Sequence, residues 1–152
     1  MTRPIAGAAA LGLVLFAIGG CGDSEPPSDA ELTVYVSAPE TAAGQRLVSE
    51  SRTALADAGG EAGGVAVRAV YLDAPSDPAT IAANARRAVE DSTSIAYVGE
   101  VEPKADLSSR PITNDAELLQ VEPAPDAMAR VLEAIDVADD PLDRSSVTDA
   151  FG

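Results

Sequence analysis

Between Leu32 and Val121, short runs of β-branched and aromatic residues alternate with amphipathic helix patterns, and few folds accommodate that alternation. Leu32-Thr33-Val34-Tyr35-Val36 is a continuous run that suits a strand buried on both faces. Leu47, Val48, Ser51, Ala54, Leu55 and Ala58 follow at helical spacing, and Gly59-Gly60 ends that helix. Val65 to Leu72 reads as a second strand. Asp77-Pro78 gives an N-cap and a first-turn proline to a second helix, whose apolar stripe is Ile81, Ala85, Ala88 and Val89. Ser94 to Val98 is a third strand, closed by Gly99. Pro103 to Arg110 holds one or two helical turns that Pro111 stops, and residues 117–121 form a fourth strand around Leu118-Leu119-Gln120-Val121. Strands separated by helix-length crossovers specify an α/β protein with one parallel sheet and helices on both faces. After Pro123-Ala124-Pro125 the pattern is helix only. Asp126 stands as a cap, Met128, Val131, Leu132 and Ile135 recur at 3.6 spacing, and a last short helix runs from Ser145 or Ser146 to Phe151.

The amino terminus has a different character. Arg3 is a short basic region, Ile5 to Ile18 is uncharged and apolar, and Ile18-Gly19-Gly20-Cys21 follows. That order reads as a cleavable export signal over residues 1–20. The 14 residues from Ile5 to Ile18 fall short of a bilayer span, which takes about 20. The tetrapeptide resembles a lipobox, which makes Cys21 the lipidated first residue of the mature chain. Cys21 is the only cysteine, so no intrachain disulfide forms. Gly22 to Ala30 is polar, acidic and Pro-rich, and residues 21–30 read as a flexible tether ahead of a single domain over residues 31–152.

Charge and composition exclude several function classes. Removing residues 1–20 takes away one basic residue, Arg3, and no acid, so 9 basic residues face 25 acidic ones, a net of −16. Nucleic acid is not the partner of such a surface. The chain has no His, which excludes Ser-His and Cys-His catalysis and imidazole metal sites. No catalytic residue, cofactor or metal site is expected. Glu40, Asp73, Glu100, Glu102 and Glu122 either converge on the strand ends, where they would hold a cation or an amine, or cap helices and face water. Asp136, Asp139, Asp140 and Asp143 lack the glycine of a calcium loop and read as a solvated loop and helix cap.

Several segments together resemble a known family. Val34-Tyr35-Val36-Ser37-Ala38-Pro39, Ala83-Asn84-Ala85-Arg86-Arg87-Ala88, Ile95-Ala96-Tyr97-Val98-Gly99-Glu100 and Leu119-Gln120-Val121-Glu122-Pro123-Ala124 are similar to the first lobe of type 1 periplasmic binding proteins. The nearest likeness is to the branched-chain amino-acid (Leu/Ile/Val) binding lipoproteins of ABC transporters. Ala127 to Ile135 and Asp143 to Phe151 resemble that family's closing helices, so the second lobe would be skipped between Ala124 and Asp126. The resemblance implies a doubly wound, flavodoxin-like sheet in which the first strand lies between the second and third, and the fourth beside the third. It also implies ligand capture at the carboxyl ends of the strands, of which one lobe supplies half.

The family's ligand positions carry over unevenly. The loop Gly99-Glu100-Val101-Glu102-Pro103-Lys104-Ala105-Asp106 stands where the family has a Ser-Gly-Ala-Ser type sequence, and Glu122-Pro123-Ala124 where it has Ser-Pro-Ala. Ser37 matches the first-strand loop, so the candidate ligand rim is Ser37, Glu100, Glu102 and Glu122. Asn84 and Arg86-Arg87 match positions of packing and surface charge and receive no site role. Two readings follow. One is a solute-binding lipoprotein reduced to one lobe, outside the cytoplasm, anchored through Cys21, weak in binding a small amino acid and served by an ABC permease or a second polypeptide. The other is an anchored interaction or sensing module that keeps the lobe without transport.

Overall fold

The computed structural model describes residues 30–74 and 76–152. The export signal, Cys21 and nearly all of the expected tether lie outside the described residues. Five strands, β1 (Glu31–Ala38), β2 (Glu61–Ala62), β3 (Val65–Asp73), β4 (Ser94–Val98) and β5 (Leu119–Val121), form one sheet in the order β2-β3-β1-β4-β5. The pairs β1–β3, β1–β4 and β4–β5 are parallel, so the four expected strands take the expected order with β1 central.

The fifth strand is an addition. β2 pairs antiparallel with β3 through Glu61↔Ala66 and Ala62↔Val65. Gly63 and Gly64, both at positive φ, make the tight turn between them, the conformation that a two-residue hairpin loop requires. Gly63 N–H donates to Asp136 Oδ1, which ties this edge hairpin to the tail.

Helices α1 (Ala42–Asp57), α4 (Ala127–Val137) and α5 (Arg144–Phe151) cover one face, and α2 (Pro78–Glu90) and α3 (Asp106–Asp115) cover the other. β1 shows why both faces are needed. Leu32, Val34, Val36 and Ala38 point into the core beneath α1 and α4, and Tyr35 points into the smaller core beneath α2, because successive residues of a strand face opposite ways. Met128, Val131, Leu132 and Ile135 of α4 are all 6 % exposed or less, each contributing about 1.5–3 kcal/mol by burial. The tail thus completes the layer that α1 begins.

Two helix expectations need correction. Pro111 does not stop α3, which runs on to Asp115. Its ring is exposed, and the carbonyl it leaves without a helical donor belongs to Leu107, whose side chain is 70 % exposed, so water can serve that oxygen. Asp126 occupies the N-cap position of α4 but makes no side-chain cap hydrogen bond. Asp77 and Asp143 do cap: each accepts a backbone N–H, from Thr80 and Ser146 respectively, and the hydroxyls of Thr80 and Ser145, followed by these N–H groups, hold the two carboxyls below the ordinary range.

Candidate functional site

The carboxyl ends of β1 and β4 bring together residues far apart in sequence. Ser37 is fully buried, and its hydroxyl donates to Glu100 Oε2 at 3.1 Å. Tyr97, also fully buried, donates its hydroxyl to Glu100 Oε1 at 2.5 Å. Asn84, from α2, donates to the Asp73 carbonyl at 2.9 Å and to Ser37 Oγ at 3.5 Å. Glu100 is 7 % exposed and has no cationic partner among the described residues. Burial therefore pushes its carboxyl above the usual carboxylate range, against the opposing effect of the two hydroxyl donors, and the charge of Asp106 adds to the rise. The Tyr97 phenol is pushed up by its own burial and by the Glu100 charge.

A second polar layer holds the loop that carries Glu100. Gln120 Nε2 donates to the Gly99 carbonyl at 3.4 Å and to Ser109 Oγ at 2.9 Å, while its Oε1 accepts from Thr113 Oγ1 at 2.7 Å. The Gly99 N–H donates to the Val121 carbonyl at 3.1 Å. A Cβ at Gly99 would stand 3.1 Å from Ser37 Cβ and 3.2 Å from the Ser37 carbonyl oxygen, tighter than ordinary contact, so glycine lets the loop lie against β1 without displacing it.

This architecture matches solved structures. No protein-family model matches the sequence, and no curated protein is similar to it. A leucine-binding protein of Thermotoga maritima superposes with a TM-score of 0.53 at 25% identity, over 62% of this chain and 27% of that one. A branched-chain amino acid transporter substrate-binding protein of Streptococcus pneumoniae, solved with isoleucine, gives 0.55 at 19% identity, over 62% and 29%. A solute-binding protein of an ABC transporter from Rhodopseudomonas palustris, in complex with 4-hydroxybenzoate, gives 0.55 at 21% identity, over 60% and 26%.

The fold is that of a substrate-binding protein lobe. The chain spans between a quarter and a third of the length of these three structures. In this lobe the predicted rim residues separate into two groups. Ser37 and Glu100 meet, but they face each other inside the protein. Glu122 points outward, its side chain 87% exposed, with a 3.7 Å contact to Arg110 as its ion pair. Glu102 is half-buried, and its carbonyl accepts from the Ala105 N–H. Glu40 and Asp73 are exposed, and no three acidic side chains gather as metal ligands among the described residues.

Asn84, which received no site role from the sequence, is the residue that ties α2 to this cluster. It lies three residues after Ile81 and four before Ala88, on the buried side of α2, and that spacing was the available signal.

The opposite side of β1 carries open space. A cavity of about 670 Å³ lies between the first turns of α1 and the ends of β1 and β3, and its lining includes Glu40, Gly44, Val48, Arg52, Tyr71 and Asp73. The Arg52 guanidinium stands over the Tyr71 ring, 4.8 Å from its centroid. Another groove, about 530 Å³, runs between α1 and α4 with Glu50, Asp57, Glu133 and Asp136 in its walls and no basic residue.

Proposed function

We propose that this protein is a membrane-anchored, extracytoplasmic solute-binding lipoprotein of the branched-chain amino-acid transporter type, built on one lobe and weak toward its solute. The observation that carries the reading is the superposition on the Thermotoga maritima leucine-binding protein, over a sheet whose strand ends hold Ser37 and Glu100. Anchoring follows from the lipobox-like Ile18-Gly19-Gly20-Cys21, and an ABC permease is the partner this reading implies. The lobe binds; it does not catalyse. Two features support weak binding. A single lobe encloses a solute from one side, and the Ser37 hydroxyl spends its proton on Glu100 instead of a ligand. Glu102 and Glu122, standing where the resemblance places hydroxyl residues, add repulsion toward a carboxylate, screened because Glu122 is open to solvent.

The closure of Ser37 on Glu100 also favours a second reading, an anchored interaction or sensing module that keeps the lobe without transport. Isothermal titration of the full chain with Leu, Ile and Val separates the two. The solute-binding reading expects heats that fit a constant no tighter than about millimolar, roughly −4 kcal/mol. A micromolar constant would overturn the weak-binding part. Absence of any binding to the solubility limit would favour the interaction module.

A further inference from the structure

Arg52 departs from the rest of the solute-facing end. The strand ends and their loops are dominated by carboxylates, whereas Arg52 brings a guanidinium to the cavity beside β1 and β3 and forms no ion pair among the described residues. Tyr71 beneath it holds the group in place, which lowers the entropy cost of using its N–H donors on a carboxylate. The acidic Glu40 and Asp73 line the same cavity, and Val48 and Leu72 give it an apolar wall. Its volume, about 670 Å³, falls within the roughly 300–1,000 Å³ of small-molecule sites.

We propose that this cavity is a solute site distinct from the Ser37–Glu100 cluster, and that it takes a small zwitterion, with the carboxylate on Arg52 and the ammonium on the Glu40 and Asp73 side. The charge balance decides the class. One guanidinium among two lining carboxylates, on a chain of net charge −15, disfavours a plain anion. A plain cation leaves Arg52 unanswered. A zwitterion with an apolar side chain meets all three surfaces. The groove between α1 and α4 has no base to receive a carboxylate, so it does not compete for such a ligand. The ligand class rests on the solute-binding reading; the position of the site does not.

The test is a titration of the ¹⁵N-labelled full chain in detergent micelles, followed by amide shifts, with leucine, leucinamide and 4-methylpentanoate as probes. Leucine should move the amides of Gly44, Val48 and Tyr71, while leucinamide, which lacks the carboxylate, and 4-methylpentanoate, which lacks the ammonium, bind about tenfold more weakly. Arg52→Gln should weaken leucine to the level of leucinamide, and Arg52→Lys should recover part of the loss. Arg52 is exposed on α1, so both variants keep the fold. If leucine shifts Gly99 and Glu100 but not Gly44 and Tyr71, or if Arg52→Gln or either analogue binds as well as leucine, the inference falls and the solute-binding reading stands. If no amide moves with any probe, both fall.

Discussion

The Ser37 hydroxyl and the Glu100 carboxylate, 63 residues apart in sequence, satisfy each other at 3.1 Å where β1 and β4 run side by side. With Tyr97 on its other oxygen, Glu100 is a buried acid held by two neutral donors and, among the described residues, by no cation. Such a group is costly to ionise, and the cost depends on pH.

The direction of that dependence follows from the raised carboxyl. Native Glu100 keeps its proton to a higher pH than the same residue in the unfolded chain, whose ordinary value is 4.5. Its contribution to stability is therefore complete below 4.5 and is lost as pH rises through the native value. Glu100→Gln, which accepts from Tyr97 through its carbonyl and donates to Ser37 through its amide, should flatten the fall in Tm above pH 4.5. Asp77, Asp91 and Asp143 act on the other side, because their lowered carboxyls lose stability only as pH falls below their ordinary 3.8. Thermal melting of both proteins across this range decides it; parallel curves would contradict the assignment.

Gly44 stands where the first turn of α1 crosses Pro39. A methyl group there would sit 2.0 Å from the Pro39 carbonyl oxygen. Gly44→Ala should destabilise the fold by about 1–3 kcal/mol despite the better helix propensity of Ala. A urea midpoint that stays put or rises would show that the loop gives way freely.

Arg144 fastens the tail to the sheet. Its guanidinium donates to the carbonyls of Ser94 at 2.9 Å, Asp91 at 2.8 Å and Val89 at 3.3 Å, closing the end of α2 and the start of β4. Arg144→Ala removes all three bonds, leaving the Asp91 carbonyl only the Ser94 N–H, and should cost about 2–3 kcal/mol. Arg144→Lys should recover less than half, since one ammonium cannot span three acceptors. Denaturant unfolding of the two variants measures both effects.

Metabolic labelling with a radioactive fatty acid should mark the wild-type chain, and Cys21→Ser should lose the label. The same substitution should leave residues 1–20 attached, read by mass spectrometry. Label retained in the variant would remove the lipoprotein reading.

Much of the sheet was legible because its signals are local. The unbroken β-branched and aromatic run from Leu32 to Val36 marks a strand buried on both faces, and the helical stripes of α2 and α4 stand in plain 3.6 spacing. The β2–β3 hairpin was written in Gly63-Gly64, but a two-residue strand is too short to show a period. Pro111 gave the wrong stop because its ring lies on the exposed side of α3, where water can serve the carbonyl it frees, and which side of a helix is exposed is a tertiary property.

Sequence alone determined which residues could lie at the strand ends: the runs that stop at Ser37, Asp73, Gly99 and Val121 are covalent neighbours of the loops that follow them. Tertiary structure decided what those residues touch. Ser37 turns inward to Glu100 because parallel pairing sets β4 beside β1, and Arg52 meets Tyr71 because α1 packs over the far side of β3. Parallel partners are joined through long crossovers, so no local pattern records the contact. It exists only once burial of both sheet faces has fixed the register.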